Sequence, residues 1–469
     1  MKSFKKYMYI GLPILGVLFY LCYLRIAAID MVYSDYIRLI NSYLPDVWNP
    51  DKFFVADLLT RIPANYLERI INVELFGYSV TFDRVLGVIG FGLSALAVGI
   101  YCKKQRIGMG WYTVIMLVMF SLNKWEMLYN GTGWAHFMAF ACFFYNYLVL
   151  DRVYKGRAQN GDMVRLAVLP ALITIGIAGP YCAVYSMTLI LAYGFIFVRD
   201  RLAERQNGSV VFSVKQVIGF LACVIWPLLV YIWSNSQAVY EHAGAVEGSL
   251  VGTFFQEPEF FLKFLLKAFA SIVFGVEFIS RRMAEVPDMF WYVLGACVLA
   301  SYFLALWMNF NYGIYKKTLF PLMFLAGGGM NHLIVMVSRW IFMKDTYGMS
   351  SRYALQYQVG ILGILLTFAL VYRKWKDARE EKPRNKAVHV LAVAIAALFL
   401  VGNLATTVEE FNHGKHRKNY NLEIKEVLLN FENEDEETLQ TKLEYHKPGT
   451  REALQILKDN GWNIFKETE

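Results

Sequence analysis

Two carboxylates follow directly on the first long apolar stretch of the chain, in Ile29-Asp30-Met31-Val32-Tyr33-Ser34-Asp35-Tyr36-Ile37-Arg38. Acidic side chains at a membrane face mark proton or ion chemistry more often than packing, because hydrocarbon disfavours charge. Arg38 stands near Asp35, and a carboxylate beside a cation stays ionised and able to accept a proton. A second cluster, Met349-Ser350-Ser351-Arg352-Tyr353, opens a late apolar run. A guanidinium there has a fixed fork and a permanent charge, which suits a phosphate at headgroup depth. The plainer role is an anchor that snorkels, with Tyr353 in the interfacial aromatic belt.

What must position these groups is a membrane domain. The chain is 57% hydrophobic, 16% aromatic and 18% charged, with a mean hydropathy of +0.38 over 469 residues. Soluble domains do not carry that balance. Apolar runs able to cross the bilayer as helices recur about eleven times: 7–28, 85–101, 107–122, 134–150, 166–178, 181–198, 217–233, 290–310, 319–342, 355–372 and 387–406. The fold class expected is therefore all-α and polytopic, with residues 1–406 in the membrane domain and 407–469 as a tail.

Lysine and arginine set the orientation, since cationic loops stay cytoplasmic. Lys2, Lys5 and Lys6, then Lys103, Lys104 and Arg106, Arg152 to Arg157, Arg199 to Arg205, Lys316 and Lys317, and the run Arg373 to Lys386 alternate as inside segments. The N-terminus is then cytoplasmic and the tail outside, in a multi-pass cell membrane protein. This map requires the amphipathic segment Glu259 to Ser280 to lie on the outer surface. The net charge of +8 is mostly this retention signal and gives no support to nucleic-acid binding. The six cysteines fall in or at the edge of spans and read as packing residues. A retained anchor is expected at the N-terminus, since no small-residue cleavage site follows the first span.

The first outer loop, 29–83, is patterned. Ile37, Leu39, Ile40 and Leu44, then Phe53, Phe54, Leu58, Leu59, Tyr66 and Ile70, recur at helical spacing and predict two or three horizontal helices on the membrane. Asp57, Arg61, Glu68 and Arg69 read as a solvated, mutually paired face. In the tail, Thr450 with Glu452 starts a helix that Gly461 ends, and Leu454, Leu457, Trp462 and Phe465 give it an apolar side to dock on the membrane domain.

A carboxylate just after the first span, a long first outer loop, about a dozen spans, an outer Ser-Arg-Tyr before a late span, and the tail Thr450 to Lys458 followed by Trp462-Asn463-Ile464-Phe465 resemble the bacterial polytopic glycosyltransferases of the GT-C superfamily. The resemblance implies an acidic base in the first outer loop and a sugar donor carried on a polyprenyl phosphate such as undecaprenyl phosphate. Asp30, nearest the end of the span, and Asp35 both qualify, and no adjacent acidic pair decides between them. Nucleotide sugars stay in the cytoplasm, so an outward-facing enzyme needs a flipped, lipid-linked donor. The reaction expected is an inverting displacement: a carboxylate takes the acceptor proton while cations stabilise the departing lipid phosphate. The acceptor expected is a cell-surface glycopolymer such as a cell-wall polysaccharide, teichoic acid or O-antigen.

Arg352 leads for the phosphate, with Arg38, Arg61 and Lys124 as helpers, and Tyr353, Trp134, His136, Glu241 and His242 as substrate contacts. The outer loops show no His/Cys ligand spacing, so neither a metal nor another cofactor is indicated. The triple glycine 327–329 predicts close helix approach. A polysaccharide polymerase or ligase is the alternative enzyme. A lipid-linked sugar flippase or transporter is the alternative class, although ionisable residues within the spans are nearly absent apart from Arg339. The topology has a direct check: a cysteine placed at Ser249 or Asn433 should react with an impermeant maleimide in intact cells, and protection of both would overturn the orientation.

Overall fold

The computed structural model describes residues 2–54, 62–205, 208, 210–236, 245–377 and 386–466. Apolar backbone in hydrocarbon can satisfy its hydrogen bonds internally only as helix or closed barrel, and all eleven predicted spans are helical. The chain runs through α1 (Lys2–Ala27), α2 (Asp35–Tyr43), α3 (Pro63–Phe76), α4 (Val80–Lys104), α5 (Met109–Met119), α6 (Trp125–Tyr129), α7 (Trp134–Tyr154), α8 (Asp162–Gly176) and α9 (Cys182–Glu204). It continues through α10 (Val214–Asn235), α11 (Leu250–Gln256), α12 (Pro258–Ala270), α13 (Val276–Arg282), α14 (Asp288–Asn311), α15 (Phe320–Arg339), α16 (Ser351–Asp377), α17 (Lys386–Leu429), α18 (Glu436–Lys442) and α19 (Thr450–Asp459). No strand occurs among the described residues.

Nine of these helices are long and apolar enough to cross a membrane: α1, α4, α7, α9, α10, α14, α15, α16 and α17. The other two predicted spans, α5 and α8, have 11 and 15 residues and fall short of the length that crosses as a regular helix. Both still return the chain from one end of the bundle to the other. Gly87 and Gly90 of α4 sit against Trp134, Phe137 and Met138 at the start of α7, so α4 and α7 run parallel and α5 must bring the chain back between them. The ring of His136 near the start of α7 meets Tyr181 just before α9, which sets the same requirement for α8.

The basic loops gather at one end. There the Arg373 guanidinium donates to the Gln105 carbonyl, the Tyr154 hydroxyl to the Tyr315 carbonyl at 2.7 Å, and Lys374 to the Tyr312 carbonyl at 2.7 Å. The opposite end, called the cap end below, carries α2, α3, α6, α11 to α13 and the tail. α16 is the central helix, buried along its whole apolar window. It meets α15 closely because of glycine: a Cβ on Gly328 would stand 2.2 Å from the Gly360 Cα, and one on Gly363 would stand 2.7 Å from the Leu325 nitrogen. Of the triple glycine, Gly328 makes that approach, whereas a Cβ on Gly329 would meet nothing.

Two expectations change at the cap end. The last span does not stop near residue 406: α17 is one unbroken helix of 44 residues, with Asn403 to Gly414 continuous inside it. The first loop and the tail are also not separate appendages on the membrane. Ile37 and Ile40 of α2, Ile424 and Leu428 of α17, Leu439 of α18, and Leu454 and Leu457 of α19 all have no exposed surface and form one small core. Asn463 stitches the two segments together, accepting from the Val32 nitrogen at 3.0 Å and donating to the Gly77 and Tyr78 carbonyls at 3.0 and 2.9 Å. The apolar side of α19 therefore docks on α2, the first-loop helix within residues 1–406. The Glu259 to Ser280 segment breaks into α12 and α13, and α12 buries Phe261, Phe264 and Ala268 within the protein. Truncating Leu454 to Ala leaves a void in the smaller core. It should lower the stability of the cap by about 2–5 kcal/mol, read as a lower melting temperature in detergent, while the membrane bundle still inserts.

Candidate functional site

At the cap end, α2 is held against α4 by a buried polar network. Asp83 in the first turn of α4 accepts from the Tyr36 hydroxyl at 2.6 Å, the Arg69 guanidinium at 2.9 Å and the Asn72 amide at 2.8 Å. Arg69 also pairs with Glu68 at 3.0 Å, and both side chains are almost fully buried. Burial holds the Glu68 carboxyl well above the usual carboxylate range, even with Arg69 beside it. Glu68 and Arg69, expected on a solvated face, are instead the interior of the joint between α3 and α4. The reason is geometric: Asn72, one turn beyond Glu68 in α3, bonds both Glu68 and Asp83, so the charged side of α3 faces the N-terminus of α4.

The two candidate bases lie on either side of this joint and differ in their engagement. Asp30 accepts from the Ser79 hydroxyl at 2.8 Å and from the Thr81 nitrogen at 3.0 Å. It caps the N-terminus of α4, where a carboxylate satisfies an otherwise unpaired N–H and favours the helix dipole. Asp35, at the first position of α2, has among the described residues one long contact from the Asn130 amide at 3.5 Å and a pairing with Arg38 at 3.9 Å. It is about one third exposed and close enough to act electrostatically on both His136 and Arg352. The two acids thus differ in surroundings: Asp30 is engaged at the start of α4 beside its N-cap Ser79, and Asp35 lies beside Arg38 and Asn130.

Arg352 stands in the first turn of α16. Its Nε bonds Glu126 of α6, whose other oxygen accepts from the Ser351 hydroxyl at 2.9 Å. The guanidinium is partly exposed, and neither Nη group donates to another described residue. Tyr353 lies beneath, with the Arg339 guanidinium 5.8 Å from its ring, and Tyr181 packs edge-on against His136 at 4.8 Å. The structure thus brings Asp35, Arg38, His136, Arg352 and Tyr353 to one region, walled by Glu126, Asn130 and Arg339.

Other expected contacts are placed elsewhere. Lys124 has no exposed surface; its ammonium donates to the Met119 and Ser121 carbonyls at 2.8 and 3.1 Å and lies over the Phe91 ring. It closes the end of α5 and is not available to a phosphate. Trp134 is packed with Ile62 and Ala135 beside Gly87, so it offers no face to a sugar. Arg61, Glu241 and His242 lie outside the described residues. Glu126 and Arg339 were missed as site residues. Glu126 had a signal, as the one acidic residue in the turn 123–133.

A second polar cluster adjoins α6. Arg417 of α17 bonds Glu410 at 2.6 and 2.8 Å and covers the Trp125 ring at 3.3 Å, while Tyr23 donates to Glu410 at 2.7 Å. Nearby, burial pushes the Glu277 carboxyl on α13 up to about 7. Trp125 is thereby taken up in packing. Comparison of the chain with protein-family models, curated proteins and solved structures finds no match in any of the three. The contrast between the two acids is measurable without an activity. Asp30→Ala should lose two hydrogen bonds at the start of α4 and about 0.5–2 kcal/mol of stability, whereas Asp35→Ala should lose only the smaller helix-dipole contribution of about 0.3–1 kcal/mol; a larger loss for Asp35→Ala would remove the distinction.

Proposed function

We propose that this chain is an integral membrane glycosyltransferase that moves a sugar from a polyprenyl-phosphate carrier to a cell-surface glycopolymer outside the cell membrane, with the N-terminus cytoplasmic and the cap end outward. One observation carries the reading: a lightly engaged carboxylate, Asp35, shares a region at the bundle end with Arg352, a guanidinium oriented through Nε by Glu126 and with neither Nη group bonded among the described residues. Acid and cation at headgroup depth match a reaction that removes a proton at one point and releases a phosphate at another.

In this reaction the acceptor hydroxyl oxygen attacks the anomeric carbon and its proton passes to Asp35. The bond from that carbon to the phosphate oxygen breaks on the opposite face, and its electron pair leaves with the lipid phosphate. The Nη groups of Arg352 form a fork for that phosphate, and Arg38 stands beside Asp35 at 3.9 Å. His136 and Tyr353 line the region between, and Ser351 shares in holding Glu126. The proton on Asp35 is then returned to solvent, restoring the base.

Two variants test the proposal on purified protein with labelled polyprenyl-phosphate sugars. Asp35→Asn should lower turnover by roughly two or more orders of magnitude with normal folding, while Asp30→Asn should retain most turnover in proportion to folded protein. Arg352→Lys keeps the charge and the ability to snorkel but loses the fork, so the initial rate against donor concentration should fall strongly. Full activity in Asp35→Asn would remove the mechanism, and an unchanged donor curve in Arg352→Lys would return that residue to anchoring.

A further inference from the structure

A wide-mouthed hollow of about 510 Å³ opens at the cap end between α12 and the segment that joins α15 to α16. Its volume falls in the range of roughly 300–1,000 Å³ typical of small-molecule sites. Its walls carry Glu257, Glu259, Phe260, Lys263, Lys344 and Asp345. We propose that this hollow binds a neutral oligosaccharide, as the subsite for the acceptor glycan; the proposal rests on the reaction proposed above.

Most of the charged side chains on the walls are held in ion pairs. Lys263 pairs with Glu259 at 2.5 Å, and Asp345 pairs at 2.9 Å with Lys267, a nearly buried ammonium that Asp288 holds from its other side at 2.9 Å. Carboxylates that already face ammonium groups leave little net field to draw in a free anion or cation. Each paired carboxylate keeps a second oxygen able to accept from hydroxyls, while Lys344 can donate. Phe260 adds one aromatic wall. Hydroxyl acceptors, an ammonium donor and an apolar ring surface together suit a sugar, which has hydroxyls at its rim and C–H groups on its faces.

The position of the hollow ties it to the start of α16. Its floor, residues 343–346, continues into Tyr347, which stacks on Phe342 at 4.5 Å and lies 6.5 Å from Tyr353, the neighbour of Arg352. Gly348 packs so tightly on Phe264 of α12 that a Cβ there would come within 2.7 Å of the ring. This segment is thus clamped between α12 and α16. Tyr347 thus connects the hollow to Tyr353 in the first turn of α16, the turn that also carries Arg352.

The experiment uses the full chain in nanodiscs, an array of bacterial surface oligosaccharides, and two variants, Phe260→Ala and Thr346→Trp, the second filling the hollow. The wild type should bind at least one neutral oligosaccharide, and each variant should weaken that binding about tenfold or more while donor KM stays unchanged. Three results would overturn the inference: no glycan bound, binding confined to anionic glycans, or both variants binding as the wild type does. Displacement of the glycan by glycerophosphoethanolamine would overturn it too, by showing a lipid-headgroup site. If sugar transfer is absent but the variants still weaken glycan binding, the proposed reaction fails and the hollow stands. If transfer occurs with acceptor KM unchanged in both variants, the reaction stands and the hollow fails.

Discussion

The cap end depends on the buried contact between Arg69 and Asp83. Taking both charges from water is costly unless geometry and further hydrogen bonds compensate, and here Asn72, Glu68 and the Tyr36 hydroxyl supply partners. The network fixes α3 to the start of α4 and, through Tyr36, sets the angle at which α2 leaves the first span. Asp35 precedes Tyr36, so its placement is inherited from this joint. Gly131 belongs to the same arrangement: a Cβ there would lie 2.2 Å from the Tyr36 oxygen, and only its absence lets the Asn130 turn approach Asp35.

Much of the membrane architecture was legible because hydrocarbon leaves the backbone few choices. Every predicted span is a helix, including the short α5 and α8, whose apolar content showed through their modest length. The joining of the first loop to the tail was not legible. Each segment advertised an apolar face, but nothing in Ile37 or Leu454 names its partner, and sequence separation of roughly 400 residues leaves no local signal. The apolar side of α19 was legible, and its partner within residues 1–406 is α2 of the first loop.

The candidate site was half legible for a related reason. Residue type identified Asp30 and Asp35 as the acids to watch, but the distinction between them depends on Ser79 and Thr81, some fifty residues away. Lys124 shows the converse. A lysine in a turn between spans looks like a surface cation, yet the carbonyls left open at the end of α5 draw its ammonium inward, where burial is tolerated only because those acceptors replace water. Glu68 and Arg69 likewise read as a pair without revealing that the pair is interior.

The unbroken course of α17 has a mechanical consequence. At 1.5 Å per residue its length is about 66 Å, roughly twice the hydrocarbon thickness. One rod therefore runs from the basic end, through the bilayer, into the small core that seats α2. A rod without a joint transmits tilt. When bilayer thickness changes and the bundle leans to match it, the upper part of α17 must swing with the lower part, and Ile424 and Leu428 carry α2 and Asp35 along. Lipid composition thus has a lever arm on Asp35, and the height of α2 above the bilayer is metered by a ruler built into the chain.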